Sequence, residues 1–248
     1  MLEKYLGFYV WQGMALMKNA ALLKQLPAVT KRLFLSFTAA DYRFLATSNG
    51  VRTAKSFINK ANMRGIRVEL LIGEPTLALP LYVNNIQSMV QVFRSIPFDG
   101  VQLDIERDQL ASYEKPIWDA GIITAIATTR MHLNRFTERD IPIGITVHHR
   151  ELVVSGFQER LCGVEAPEVT AMYYASNPVA VLNFPNLYPD WKYANTSIAV
   201  SIEESLSSEE STFKRGRIES LEQWNDLHSR LQCPIIVQSF EDYMKAEV

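Results

Sequence analysis

A chain of 248 residues, 48% hydrophobic and 21% charged, has an ordinary globular composition and enough length to bury one substantial core. Its formal net charge of -2, with lysines and arginines scattered rather than clustered, gives no electrostatic footprint for a nucleic-acid partner. Cys162 and Cys233, far apart and without metal-ligand spacing, suggest neither a disulfide framework nor a zinc site and are expected as buried thiols.

No apolar run reaches the roughly 18 residues of a membrane span, so no membrane partner is expected. Met1-Leu2-Glu3-Lys4-Tyr5 lacks the basic and apolar stretches of a signal peptide. The chain as written is expected in the cytoplasm, and in a secreted or periplasmic setting if it is a trimmed product. The sequon Asn195-Thr196-Ser197 is too common to change that expectation.

In chain order, short apolar runs rich in β-branched and aromatic residues predict strands at Gly7–Trp11, Arg32–Phe37, Arg67–Ile72, Gly100–Ile105, Ile143–Val147, Val169–Tyr174, Ser197–Ile202 and Pro234–Phe240. Between them lies helical periodicity, as in Leu81, Ile86, Met89, Val90 and Phe93, or Ile122, Ile123, Ile126 and Ala127. Several of these segments stop at turn or cap residues such as Gly65 or Asp140-Ile141-Pro142. Strands alternating with helices pair in parallel through right-handed crossovers, and eight such units predict an α/β fold of the (β/α)8 TIM-barrel type, a single domain over residues 1–248. An open doubly wound sheet is less favoured, because Trp11-Gln12-Gly13-Met14 is no dinucleotide fingerprint. Ser205 to Arg217 reads as one polar loop, with Glu209-Glu210 on the surface.

In a barrel, chemistry sits at the C-terminal strand ends, and the polar residues of this chain gather there. Along Phe98-Asp99-Gly100-Val101-Gln102-Leu103-Asp104-Ile105-Glu106, alternation puts Gln102, Asp104 and Glu106 on one face and Val101, Leu103 and Ile105 on the other. Two carboxylates so close hinder each other's ionisation, which keeps a proton on one of them as an acid catalyst requires. The bland alternative is a strand turning polar where it leaves the core. His148 and His149, Tyr174, Glu203 and Glu204, and Glu241, Asp242 and Tyr243 follow later strands to the same mouth. Only one of each adjacent pair can face inward, and His148 and Glu203 are taken as candidates. Tyr9, Trp11 and Phe240 offer flat aromatic faces of the kind on which sugar rings stack, against the alternative of plain barrel packing. A metal held by these histidines with Asp104 or Glu106 is the least favoured reading, and no metal or other cofactor is expected.

Asp99-Gly100-Val101-Gln102-Leu103-Asp104-Ile105-Glu106 on a fourth strand resembles the DGxDxDxE signature of the family-18 chitinases and their barrel relatives. Gly7-Phe8-Tyr9-Val10-Trp11 is similar to that family's first strand, Leu33-Phe34-Leu35-Ser36-Phe37 to its second, and Met172-Tyr173-Tyr174 to the M-x-Y of its sixth. The resemblance implies Glu106 as general acid and base, Asp104 as the group that orients the substrate's acetamide, and Tyr174 as a hydrogen-bond partner of that acetamide. It also implies hydrolysis of β-linked N-acetylglucosamine polymers with retention, the acetamide acting as nucleophile.

The chain departs from the pattern at Gln102, where the signature has its middle aspartate, and at Ala175, where Asp or Asn follows the tyrosine. It departs again at Leu71-Ile72-Gly73-Glu74 in place of SxGG, and on strand eight, where Phe240 stands near the position of a tryptophan. These changes favour a glycoside hydrolase-like enzyme acting on another poly- or oligosaccharide, with a neutral or amino-bearing polymer preferred over chitin. Asp104, Glu203 or Glu241 would then supply the second carboxylate. Catalysis is expected from Glu106, Asp104 and Tyr174, and substrate binding from Gln102, Tyr9, Trp11, His148, Glu203, Phe240 and Glu241. A non-catalytic, lectin-like carbohydrate-binding barrel is the alternative, and a barrel enzyme on a non-sugar substrate a third class. Nothing in the sequence sets the oligomeric state.

Overall fold

The computed structural model describes residues 6–154, 156–164, 168–188 and 196–247; the Cys162 side chain and Asn195 of the sequon lie outside the described residues. Eight strands, β1 (Leu6–Val10), β2 (Thr30–Ser36), β3 (Arg67–Ile72), β4 (Val101–Asp104), β5 (Ile143–His148), β6 (Glu168–Met172), β7 (Thr196–Ser201) and β8 (Ile235–Gln238), close into a barrel in sequence order. Every neighbouring pair is parallel, and β8 closes on β1 through Leu6–Ile235, Gly7–Ile236 and Phe8–Val237. The expected TIM barrel is therefore the fold.

The strands read as nearly continuous apolar runs because both faces are covered. Outward residues such as Phe8, Val101, Leu103 and Ile105 are buried under the helices. Inward ones, Tyr9, Phe34, Leu71, Met172, Ala199 and Ile236, fill the barrel. Trp118 and Trp224, on the long helices Trp118–Phe136 and Gly216–Leu231, are fully buried against the outer face. Each large apolar side chain so buried contributes roughly 1.5–3 kcal/mol. Gly121 lets the first of these helices sit directly on the segment Pro75–Ala78, since a Cβ there would stand 1.9 Å from the Ala78 carbonyl oxygen.

Two sequence expectations need correcting. Strand six stops at Met172, two residues before Tyr174, and strand eight stops at Gln238 because Ser239 caps a new helix, Phe240–Lys245, by accepting from the Asp242 amide. The helical stripe from Leu81 onward is also broken. Leu81 lies in a turn after Pro80 and is 85% exposed, while Ile86, Val90 and Phe93 do face the core. No helix among the described residues is long and apolar enough to cross a membrane.

The N-terminal end of the barrel is closed by an ionic cluster without a local sequence signal. The Arg32 guanidinium meets Glu69 at 2.8 and 2.7 Å and also bonds Glu168, with Arg32 and Glu69 both buried. One layer nearer the mouth, Tyr9 Oη and Thr146 Oγ1 are 2.6 Å apart. Gln102 Nε2 donates to Thr146 at 2.8 Å and to Thr170 at 3.3 Å, and Thr170 meets Ser197 at 2.8 Å. This polar layer is the floor on which the mouth is built.

Candidate active site

Strand β4 delivers its side chains in the expected alternation. Gln102 and Asp104 point into the barrel, Val101, Leu103 and Ile105 into the outer core, and Glu106 stands half-buried just beyond the strand end. Trp118 Nε1 donates to the Ile105 carbonyl oxygen at 2.7 Å, which pins the chain between the two carboxyl-bearing residues. Both carboxyls line a cleft of about 380 Å³ at the C-terminal end of the barrel, together with Trp11, Tyr174, Glu203 and Gln238. Gly73 belongs to the same wall. A Cβ there would lie 2.9 Å from the Trp11 ring, so glycine leaves room for the indole across the mouth.

Burial is the main reason that Asp104, Glu106 and Glu203 all hold their protons more tightly than ordinary carboxyls, and repulsion from neighbouring carboxylates, Asp242 in the case of Glu203, adds to it. Asp104 is the deepest and the most strongly affected, raised by burial and then by the charges of Glu106 and Glu203. Of the two strand-four carboxyls, the deeper Asp104 is the stronger holder of a proton. On Glu106 the upward push of burial is opposed by a hydrogen bond, Gln109 Nε2 donating to Oε1 at 2.6 Å. Ser201 Oγ donates to Glu203 at 3.2 Å and accepts from its backbone N–H at 3.0 Å, holding this carboxyl at the end of β7. The Tyr174 hydroxyl is kept protonated by burial and by the surrounding carboxylates. Among the described residues, no lysine or arginine lines the cleft.

No protein-family model and no curated protein matches the sequence. Solved structures do match. A GH18 chitinase from Pseudoalteromonas aurantia is similar over 98% of this chain and 98% of its own, with 15% identity and a TM-score of 0.62. A GH18 chitinase from Cycas revoluta in complex with (GlcNAc)3 covers 98% of this chain and 96% of its own, at 10% identity and a TM-score of 0.59. A chitinase-like agglutinin from Robinia pseudoacacia covers 79% and 69% respectively, at 13% identity and 0.52. This chain has the fold of the chitinase barrels.

On that chitinase-type barrel the remaining predicted residues are distributed unevenly. Tyr9 and Gln102 lie in the buried layer beneath the cleft, Tyr9 packed on Phe34 with ring centres 5.1 Å apart. They support Asp104 from below and form no open surface. Phe240 does not line the mouth: it is buried between barrel and helices, 6.4 Å edge-on to Phe8. Gln238, the last strand residue, faces the cleft, and because the strand ends there Phe240 lies in the following helix and turns outward. Glu241 opens the helix after β8, where Oε1 accepts from the Gln12 amide at 2.7 Å and so braces the loop that follows Trp11. His148 stands beside Glu106 in a small side pocket, its Nδ1 accepting from the Arg150 backbone N–H at 3.2 Å and from Arg150 Nε at 3.1 Å. His149 turns away to bond the Tyr188 hydroxyl, and burial followed by the charges of His148 and Arg150 lowers its pKa to about 4. His149 begins the 3-10 turn His149–Val153, beyond the strand, and its ring centre lies 4.3 Å from that of His148. Glu204, Glu209 and Glu210 are exposed. No group of three or more His, Cys, Asp or Glu side chains among the described residues is placed to hold a metal. Cys233 is partly buried, its thiol pushed up to about 12 by desolvation. Sequence reasoning missed Gln109 and Gln238, although the inward alternation of Ile236 and Gln238 pointed to the second.

Proposed function

We propose that this protein is a glycoside hydrolase in which Glu106 acts as general acid and base with Asp104 as its partner. The observation that carries the reading is a half-buried Glu106 that lines a strand-end cleft together with the buried Asp104 two residues earlier, with both carboxyls biased toward the protonated form. A proton available near neutral pH, on a side chain that water and a leaving oxygen can both reach, is what glycosidic bond cleavage needs. A sugar that covers the rim desolvates Glu106 further, which raises its hold on the proton relative to the free cleft. The neutral Tyr174 hydroxyl is a donor to the bound ring, and Trp11 offers it a flat face. Glu203, beyond the end of β7, is a further carboxyl in the same cleft, suited to stabilise developing positive charge at the anomeric carbon or to attack it.

Gly73 also lines a neighbouring groove of about 530 Å³ bounded by Phe37, Tyr42, Arg43 and Glu74, in the segments after β2 and β3. A groove adjoining the cleft at Gly73 supports an oligo- or polysaccharide rather than a single small glycoside as substrate. A second reading, a carbohydrate-binding barrel without catalysis, is favoured by Gln102, which puts a neutral amide where a carboxyl would share Asp104's proton. Incubation with a panel of chitin, chitosan, β-glucan and bacterial exopolysaccharide fragments separates the two. Glu106-dependent release of reducing ends is expected; binding of a sugar with no products from any of them would establish the binding module instead.

A further inference from the structure

The cleft holds unpaired acceptors and, among its described lining residues, no cationic side chain. Asp104 Oδ1 and Gln238 Oε1 are buried polar atoms with no hydrogen-bond partner, on residues only 4% and 8% exposed, and both residues line the cleft. Gln102 Oε1, in the layer below, is likewise unpaired because its Nε2 is already committed to Thr146 and Thr170. Orphaned buried acceptors are costly unless a ligand satisfies them. Beside them stand the Glu106 and Glu203 carboxyls, with no lysine or arginine among the described lining residues to balance their charge. The two deficits, of partners for these buried acceptors and of positive charge, fall at one place.

Resting on the assignment of this cleft to saccharides, we infer that it takes a sugar unit bearing a free protonated amine, with Glu203 as the ammonium's counter-ion and Asp104 and Gln238 accepting its N–H bonds. An ammonium supplies three donors and a full charge and accepts nothing, so it meets both deficits at once. A hydroxyl brings one donor and no charge. An acetamide brings one N–H, a carbonyl that needs a donor of its own and no charge, so it pairs fewer of these acceptors and leaves the carboxyls unbalanced. A charge-assisted contact in a partly desolvated cleft is also stronger than a neutral one. The substrate class is therefore a 2-amino-2-deoxy sugar oligomer in its deacetylated form.

Calorimetric titration of the Glu106→Gln variant with glucosamine tetramer, N-acetylglucosamine tetramer and cellotetraose tests this, because the variant binds without consuming ligand. The glucosamine tetramer is expected to bind at least tenfold more tightly than either competitor, about 1.4 kcal/mol, with an affinity that falls as salt is added. Adding Glu203→Gln is expected to weaken glucosamine-tetramer binding at least tenfold more than cellotetraose binding, so that the preference is lost. Equal or tighter binding of the acetylated or neutral tetramer, or no binding of any, overturns the inference. Product analysis with the unmodified protein keeps the two proposals apart. Cleavage of acetylated or neutral oligomers without preference for the amine removes the ammonium site and leaves the hydrolase. Selective glucosamine binding with no cleavage removes the hydrolase and leaves the ammonium site.

Discussion

Gln109 holds Glu106 by a 2.6 Å hydrogen bond from its side-chain amide to Oε1, in the single 3-10 turn Arg107–Gln109 that follows the strand end. An N–H donor on a carboxyl favours the charged form, so this contact works against the burial that raises the Glu106 pKa. It sets how readily the acid gives up its proton, and it fixes the direction in which the carboxyl points.

Gln109→Ala should therefore raise the Glu106 pKa. Activity that needs a protonated Glu106 is lost as pH climbs through that pKa, so the alkaline limb of the kcat/KM profile should move to higher pH. Turnover at the optimum should fall as well, because the carboxyl is no longer aimed. A profile that keeps its alkaline limb while only KM changes would mean that Gln109 serves the substrate and not the acid.

Glu106→Gln removes the transferable proton while keeping size and polarity. Turnover on the best substrate should drop roughly a hundredfold or more, the usual scale for losing a general acid. Oligosaccharide affinity should survive. Undiminished turnover would move the acid to Asp104 or Glu203.

How far the site could be read from the sequence depends on how local its geometry is. Alternation along β4 fixes Gln102 and Asp104 inward and leaves Glu106 beyond the strand, because period-two side-chain placement depends only on backbone shape. Phe240 failed for the same reason: ending β8 at Gln238 instead of two residues later put Phe240 in a helix, where that alternation no longer applies. The Arg32 cluster joins residues 37 and 136 positions apart, and no periodicity announces such a partnership. Gln109 was hidden for a different reason. A polar residue in a loop looks solvated until the fold brings it against a catalytic carboxyl.

Beneath Asp104 the packing leaves no slack. A Cβ at Gly144 would lie 2.0 Å from Gln102 Oε1, and Gln102 cannot swing aside without breaking its bonds to Thr146 and Thr170. Gly144→Ala should destabilise the protein by about 1–3 kcal/mol, the range for overpacking a filled core. Gln102→Ser, which shortens the obstructing side chain, should recover part of that loss in the double variant. Denaturant unfolding of the four proteins measures the coupling; strictly additive losses would mean that the two positions do not meet.

At the opposite end of the barrel, Arg32→Ala would leave Glu69 buried without its bidentate partner. Breaking a buried pair from one side typically costs about 3–5 kcal/mol, so the variant should unfold at markedly lower urea concentration. The cleft lies at the other end of the strands, and activity per folded molecule should be retained below the transition. Loss of activity without loss of stability would instead tie this cluster to the site.

Asp104 links catalysis to stability. Its pKa is raised in the folded chain, so below roughly pH 4 the carboxyl is protonated in both folded and unfolded states and exacts no penalty. As pH rises from there toward the folded-state pKa, the unfolded chain releases this proton while the folded chain retains it, and stability falls. Asp104→Asn abolishes that difference. The variant should match the unmodified protein in thermal stability near pH 4 and exceed it at neutral pH, with part of the slope surviving because Glu106 and Glu203 are shifted the same way. Activity should decline even as stability improves, as expected where a carboxyl is kept buried for chemistry rather than for packing. Thermal unfolding of both proteins across this pH range decides the matter, and an Asp104→Asn variant less stable at neutral pH than at pH 4, relative to the parent, would show that the ionised carboxylate holds the fold together.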